Sequence, residues 1–330
     1  MTLALSKESS GIRLEWVVCL VCGRDDATPI AHGLDYEYDT SDIEFTFVVC
    51  RQCGHVYLNP RPTMDSGAAI YPSSYYSVSG AHRTGALSAL GRIKDVVVGR
   101  RVRALVSALP SGGRLMEPGC GDGSLLLAIR KSRPDLRLTA LDLQFSASTR
   151  AQLESNAIAV VETALEDARF DEPFDMVVMN QLIEHLWDAR GCMRSINACL
   201  KVAGVVSIST PNLDGYDRRF FVDRAWGGYH IPRHLNLFTR TSLCRFLATF
   251  GFEAVRTVSL AAPLIWVASI HNALKIRGVG AARFFRDSNL PVLAASTAMD
   301  MVAARLGVPT SNQQVIARKV RPLGAGANAN

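Results

Sequence analysis

The chain has 330 residues, 48% of them hydrophobic, and 36 Lys and Arg against 30 Asp and Glu, for a formal net charge of +6. Such a length and apolar content suit one medium domain plus a small one and exclude a disordered chain, and so mild a charge excludes the concentrated basic face of a dedicated nucleic-acid binder. No apolar run is long and uninterrupted enough for a membrane span and no basic-then-apolar leader opens the chain, so a soluble, cytoplasmic protein is expected.

The first predicted unit is residues 14–60. It carries Cys19-Leu-Val-Cys22-Gly and Cys50-Arg-Gln-Cys53-Gly. Two C-x-x-C turns, each followed by glycine, bring four thiolates to one point, and Cys19, Cys22, Cys50 and Cys53 are therefore expected to hold a structural Zn²⁺. A catalytic zinc keeps a ligand position open, which four cysteines do not. The alternative, a pair of disulfides, needs an oxidising compartment. The alternation in Ile43-Glu-Phe-Thr-Phe-Val makes the stretch 35–49 read as strands. Asp35, Glu37, Asp39, Asp42 and Glu44 make it acidic, which counts against RNA contact. His55 reads as a surface residue or a support for the metal ligands. Cys120, Cys192, Cys199 and Cys244, scattered singly, read as buried thiols. Tyr57-Leu-Asn-Pro-Arg-Pro62 is a rigid exit into a helical linker, residues 61–100, and the basic run from Arg92 to Arg103 suits a solvated helix face.

Next comes Leu115-Met-Glu117-Pro-Gly119-Cys120-Gly121-Asp-Gly123. An acid at the end of an apolar run, three alternate glycines and a helical pattern over Ser124–Ser132 describe a strand, a tight loop and a helix N-terminus. Glycine lets the backbone approach a ligand, and the helix start offers unpaired N–H groups and a positive dipole end. The G-x-G-x-G spacing differs from the dinucleotide fingerprint G-x-G-x-x-G. Strands are predicted over Arg137–Asp142, 159–161, Phe174–Asn180, 205–208 and 313–319, with helices over 148–156 and 189–200 between them. That alternation gives βαβ units and a parallel sheet, whose ligands bind outside the strands' carboxyl ends. The glycine loop, Asp142, the Glu166-Asp167 pair and Asn180 all fall there.

The acidic-x-Gly-x-Gly-x-Gly loop, the acid Asp142 about twenty residues on, Leu165-Glu166-Asp167 and Phe174-Asp-Met-Val-Val-Met-Asn-Gln-Leu-Ile183-Glu184-His185-Leu186 together resemble the class I S-adenosylmethionine-dependent methyltransferases. The resemblance covers residues 100–260 and 313–320. It implies an α/β, Rossmann-like sheet, mostly parallel with an antiparallel last strand, behind a small N-terminal zinc-ribbon domain. By the same resemblance Glu117, Gly119, Cys120, Gly121 and Gly123 would wrap the methionine moiety of S-adenosyl-L-methionine, Asp142 the ribose hydroxyls, and Leu143, Leu165 and Glu166 the adenine, with Asn180 beside them. Pro118 departs from a loop of free backbone donors. The ribbon followed by Asn-Pro-Arg-Pro resembles a bacterial subgroup of this class that works in natural-product and surface-polysaccharide biosynthesis.

The organisation expected is thus a zinc ribbon (14–60), a linker (61–100), a methyltransferase domain (101–320) with inserts at 212–239 and 260–306, and a disordered tail (321–330). The first insert is rich in aromatic, Arg and His residues and overhangs the cleft, which suits a planar, anionic or carrier-linked small molecule. His234, His185 and His230 are the candidate catalytic bases. The second insert is assigned to covering the cleft, ahead of an oligomer contact or contact with a membrane surface. Methyl transfer to O, C or N of a small molecule is the leading expectation. An RNA methyltransferase that uses the ribbon for contact, and a non-catalytic S-adenosylmethionine-binding scaffold, are the alternatives.

Overall fold

The computed structural model describes residues 11–72, 99, 102–221, 224–285 and 289–323. Most of the expected linker and its basic run lie outside the described residues, as does the tail beyond residue 323.

Two sheets organise the chain. The larger has seven strands in the order β12 (Phe252–Leu260), β13 (Asn312–Lys319), β10 (Leu200–Pro211), β9 (Phe174–Asn180), β6 (Arg114–Pro118), β7 (Arg137–Asp142) and β8 (Ala159–Glu162). Pairing is parallel from β10 through β8, and β13 runs antiparallel to both of its neighbours. The strands are apolar on both faces because both are covered. Met116, Val177 and Met179 point into one core with Met193, Ile196, Leu243 and Phe246 of α3 (Ala189–Cys199) and α4 (Arg240–Thr249). The intervening Leu115, Met176 and Val178 point into the other, with Leu126, Ile129 and Leu153 of α1 (Ser124–Ser132) and α2 (Ala147–Ser155). Parallel strands all end on the same edge, so the glycine loop after β6, Asp142 at the end of β7 and the segment after β9 are neighbours.

The second sheet has the order β11 (Asn236–Leu237), β4 (Val56–Leu58), β3 (Phe45–Cys50) and β2 (Ala27–Gly33). A two-stranded ladder of β1 (Leu14–Glu15) and β5 (Arg61–Pro62) closes the base of this unit. The ribbon is therefore not self-contained. Its outer strand comes from the insert at 212–239, with Asn236 paired to Tyr57 and Leu237 to Val56. The two also share a core: Phe45, Phe47, Val56 and Leu58 pack with Trp226, Tyr229, Ile231 and Leu235.

The stretch 35–44, expected as strand, is a loop, and Phe45 is the first strand residue. The Asp35 carboxylate competes with any ladder there: it accepts from the Tyr38 and Thr40 amides at 3.0 and 3.1 Å and from the Thr40 hydroxyl at 2.6 Å. The same carboxylate takes both terminal nitrogens of Arg233, at 3.1 and 2.7 Å, and both side chains are fully buried. Burial alone would raise the Asp35 pKa, but the hydrogen bonds and charge of Arg233 outweigh it and hold the carboxyl below its usual range. The acidity of this loop is matched by the two inserts: Glu37 meets His230 at 2.8 Å, and Asp39 meets Lys275 at 2.6 Å. Read as sequence these acids suggested repulsion of RNA; folded, they dock the loop.

The second insert forms two helices, α5 (Pro263–Ile276) and α6 (Leu290–Arg305), which pack on each other and on the first insert. Asp300 is their joint, accepting from the Ala262 amide, the Trp266 indole and the Tyr216 hydroxyl. Among the described residues no helix is long and apolar enough to cross a membrane.

Removing one partner of a buried ion pair leaves the other charge without compensation. Arg233→Leu is expected to lower unfolding free energy by about 3–5 kcal/mol in urea titrations. Asp35→Leu/Arg233→Leu together should cost markedly less than that single change.

Candidate functional site

The glycine loop shows why its residue types are needed. Gly119, Gly121 and Gly123 have φ of 65°, 57° and 71°, the left-handed region closed to most side chains. A Cβ on Gly119 would lie 2.7 Å from Leu182, and one on Gly123 would lie 2.5 Å from Leu153. A Cβ on Gly121 would meet nothing within 4 Å, so the middle of the loop is open. Behind it, Glu117 is 3% exposed and its Oε2 has no hydrogen-bond partner. Burial, with the charge of Asp142 added, raises its carboxyl well above the usual range. A buried, unsatisfied acceptor is expensive, so this oxygen marks a place for a donor or cation.

Asp142 closes the second side. One oxygen accepts the Gly121 amide at 2.9 Å, the other the Leu143 amide at 2.8 Å. Burial raises its pKa against the pull of these donors. Each oxygen keeps acceptor capacity for a hydroxyl pair. Among the other expected cofactor residues, Cys120 and Leu165 are buried, while Leu143, Glu166 and Asn180 are exposed. Pro118 is the last residue of β6, before the loop amides are needed.

The segment after β9 leads from this loop to a histidine cluster. Leu182, which covers Gly119, is followed by the short helix Ile183–His185. His185, His230 and His234 come together, with ring centroids 4.7 Å (His185–His234), 4.9 Å (His230–His234) and 6.1 Å (His185–His230) apart. Their settings differ. His234 Nδ1 donates to the Gly228 carbonyl at 2.8 Å. His185 Nδ1 lies 3.1 Å from the Arg233 carbonyl, to which it donates, and 3.0 Å from the Tyr71 hydroxyl. Burial, then the charge of His230, depresses His185 to about 3, and burial with both neighbouring rings pushes His234 well below the usual value. His230 instead donates Nδ1–H to the Glu37 carboxylate at 2.8 Å, the arrangement of a base with an orienting acid. It sits at φ 40°, ψ 51°, a backbone conformation uncommon outside glycine and typical of functional positions. Glu184 is fully buried; its Oε2 accepts the Thr210 hydroxyl at 2.9 Å and its Oε1 has no partner. Burial pushes its carboxyl up to about 8.

The four ribbon sulfurs also converge. All lie within 4.8 Å of one another, with Cys19–Cys53 at 3.4 Å and Cys22–Cys50 at 3.5 Å. The Gly23 amide donates to the Cys19 carbonyl and the Gly54 amide to the Cys50 carbonyl, closing two matching knuckles. This is the donor set of a tetrahedral zinc site. His55 is not on the surface: its backbone amide supports Cys53, while its ring is a core group hydrogen-bonded to Asn236 at 3.3 Å, and burial lowers it to about 4. Cys120 and Cys192 are buried as expected, but Cys199 and Cys244 are partly exposed.

A methyltransferase-domain family model matches residues 92–257, half of the chain. This chain belongs to that family. Its methyltransferase domain is of the S-adenosylmethionine-dependent class, consistent with the orphaned Glu117 oxygen, the open glycine loop and the paired acceptors of Asp142. The domain is similar to ubiquinone biosynthesis O-methyltransferase of Xanthomonas campestris pv. campestris, 32% identical over 132 residues, or 38% of this chain and 52% of that protein. It is also similar to a probable S-adenosylmethionine-dependent methyltransferase of Mycobacterium tuberculosis, 28% identical over 102 residues, 30% of this chain and 35% of that one. The chain thus spans about half the length of the first of these curated relatives. Among solved structures, 1,6-didemethyltoxoflavin-N1-methyltransferase of Burkholderia thailandensis aligns over 82% of this chain and 98% of its own, at 15% identity and a TM-score of 0.48.

Three participants around the methyltransferase domain's histidines were not visible in the sequence as such. Glu37, Tyr71 and Thr210 are 193, 114 and 26 residues from their partners. No local spacing rule connects positions so far apart. For the cofactor site, Asp142→Ala is expected to weaken S-adenosylmethionine binding roughly ten- to a hundredfold by isothermal titration, the value of hydrogen bonds to a charged group. Gly121→Val, which fills the open middle of the loop, should do at least as much.

Proposed function

We propose that the protein transfers the methyl group of S-adenosylmethionine to an oxygen of a small-molecule acceptor, with His230 receiving the acceptor's proton. The cofactor supplies an electrophilic methyl on a sulfonium; the protein's part is alignment, exclusion of water and uptake of a proton. The observation that carries the reading is the short chain path from the glycine loop to the histidine cluster. Leu182 fills the space over Gly119, and Glu184 and His185 follow within three residues.

Among the three histidines, the pairing of His230 with Glu37 favours it as the base. His185 and His234, held at low pKa by burial, suit other tasks. An oxygen acceptor agrees with the names of relatives. Besides the ubiquinone enzyme, these include malonyl-[acyl-carrier protein] O-methyltransferase of Acetivibrio thermocellus, 26% identical over 98 residues, 29% of this chain and 35% of that protein. A carrier-linked or anionic acceptor in natural-product or surface-polysaccharide biosynthesis fits the aromatic and basic first insert. The four cysteines hold a structural Zn²⁺ that fixes the ribbon, and through β11 the ribbon fixes the insert that bears His230 and His234.

Transfer of labelled methyl from S-adenosylmethionine to a panel of hydroxylated, carrier-linked and phosphorylated acceptors tests the assignment. His230→Gln should lower kcat about 10²–10⁴-fold with S-adenosylmethionine affinity unchanged; an unaltered kcat removes His230 as the base. Elemental analysis should find one zinc per chain in the ribbon, and Cys22→Ser/Cys53→Ser should lose it together with a large part of the thermal stability.

A further inference from the structure

Glu184, His185 and His234 each offer one ligand atom, and these atoms all lie within 4.8 Å of one another. Apart from the ribbon cysteines, this is the one such group of His, Cys, Asp and Glu side chains among the described residues.

Its hydrogen bonding is that of a ligand set. A carbonyl oxygen only accepts, so the contacts of His234 Nδ1 with Gly228 and of His185 Nδ1 with Arg233 favour hydrogen on Nδ1 in both rings, the Tyr71 hydroxyl then accepting from His185 as well. Each neutral ring then carries its lone pair on Nε2. Histidine ligands of metals almost always donate their other N–H in this way, which fixes the tautomer and the ring plane. Glu184 shows the matching pattern for a carboxylate. The Thr210 hydroxyl supports one oxygen at 2.9 Å, and the other, fully enclosed, has no partner. The enclosed Glu184 oxygen thus stands beside two imidazoles without a partner, an arrangement that is costly unless a proton or a cation joins it.

We propose that Glu184, His185 and His234 bind a divalent transition-metal ion, separate from the ribbon site. Two imidazoles and one carboxylate form a nitrogen–oxygen donor set suited to Zn²⁺, Fe²⁺, Co²⁺ or Mn²⁺, whereas Cys₄ selects zinc. Around a cation about 2.1 Å from each ligand, neighbouring ligand atoms stand roughly 3–3.5 Å apart. Sub-ångström shifts of the carboxylate and two rings close the set to that size. Three protein ligands leave coordination positions open, the mark of a site that takes a further ligand. Glu184 and His185 lie two and three residues after Leu182, which covers the donor loop, so the open positions would take an oxygen of the acceptor and ease its ionisation. That use rests on the methyl-transfer reading; the metal site itself does not.

The probe is Co²⁺ added to the full-length protein with its ribbon already loaded with zinc. One equivalent should bind and give visible d–d bands without an intense sulfur-to-cobalt charge-transfer band. Glu184→Gln, which keeps the shape of the side chain, and His234→Gln should each weaken Co²⁺ binding at least tenfold. Thr210→Val, farther from the metal, should weaken it less. Thermal melts identify any variant that fails to fold, and Glu184→Gln then decides. Absence of Co²⁺ binding, a sulfur charge-transfer band alone, or equal affinity in wild type and Glu184→Gln overturns the site. S-adenosylmethionine titration in the same samples separates the two proposals. Intact cofactor binding without Co²⁺ binding sinks the metal site alone, and the converse sinks the methyl-transfer reading alone.

Discussion

Arg233 and Asp35 are 198 residues apart, fully buried and joined by two hydrogen bonds, and the architecture of the histidine cluster hangs on them. The Arg233 side chain reaches into the ribbon loop while its backbone carbonyl meets His185 and its chain neighbour His234 joins the cluster. Tyr38, from the ribbon loop, lies under the guanidinium at 4.4 Å. One residue thus couples the ribbon, the first insert and the segment after β9. A buried pair of this kind adds little net stability over an apolar pair. What it supplies is register: the charge is tolerable only where its bidentate partner stands.

This coupling gives the ribbon a mechanical task. Its four sulfurs are far in sequence from the histidines, yet β3 and β4 carry the strand β11 on their edge, and Leu237 and Asn236 are hydrogen-bonded into that ladder. The adjoining loop 35–44 supplies Asp35, Glu37 and Asp39 to Arg233, His230 and Lys275. A zinc ion on the four cysteines, as proposed, would stiffen a unit too small for a large core of its own. That stiffness would pass to the insert, because the two share one sheet and one core. The helices α5 and α6 brace the same insert from the other side: the Ser269 hydroxyl accepts the Gly227 amide, and a Cβ on Gly227 would lie 2.6 Å from Ala268.

Local chemistry made much of the catalytic half legible. Phe174–Asn180 and Arg137–Asp142 were readable to the residue, because parallel strands covered on both faces are continuous apolar runs with sharp polar ends. The glycine loop was readable because three left-handed positions at alternate residues leave few alternatives to glycine. The strand predicted at 205–208 was too short; β10 begins at Leu200, past an irregularity in its pairing with β9 that no periodicity reveals. The region 35–44 was misread because alternation at 43–48 was extended backwards across a carboxylate that organises a turn. Nearness to Cys53 says nothing of the His55 ring, which stacks on Tyr57 and meets Phe238 of the insert, 183 positions on in the numbering, at a tilt.

Sequence by itself determined the α/β class, the donor loop with Glu117 and Asp142, and the four cysteines, because each depends on residues close together in the chain. Tertiary structure decided what the three histidines have in common and how they differ. His185, His230 and His234 are equivalent as letters in a sequence. Contacts from distant segments, with Glu37 on one ring and backbone carbonyls on the other two, set them apart. Tautomer follows from hydrogen bonding and burial that exist only in the folded chain, and for His230 only once the ribbon loop is docked.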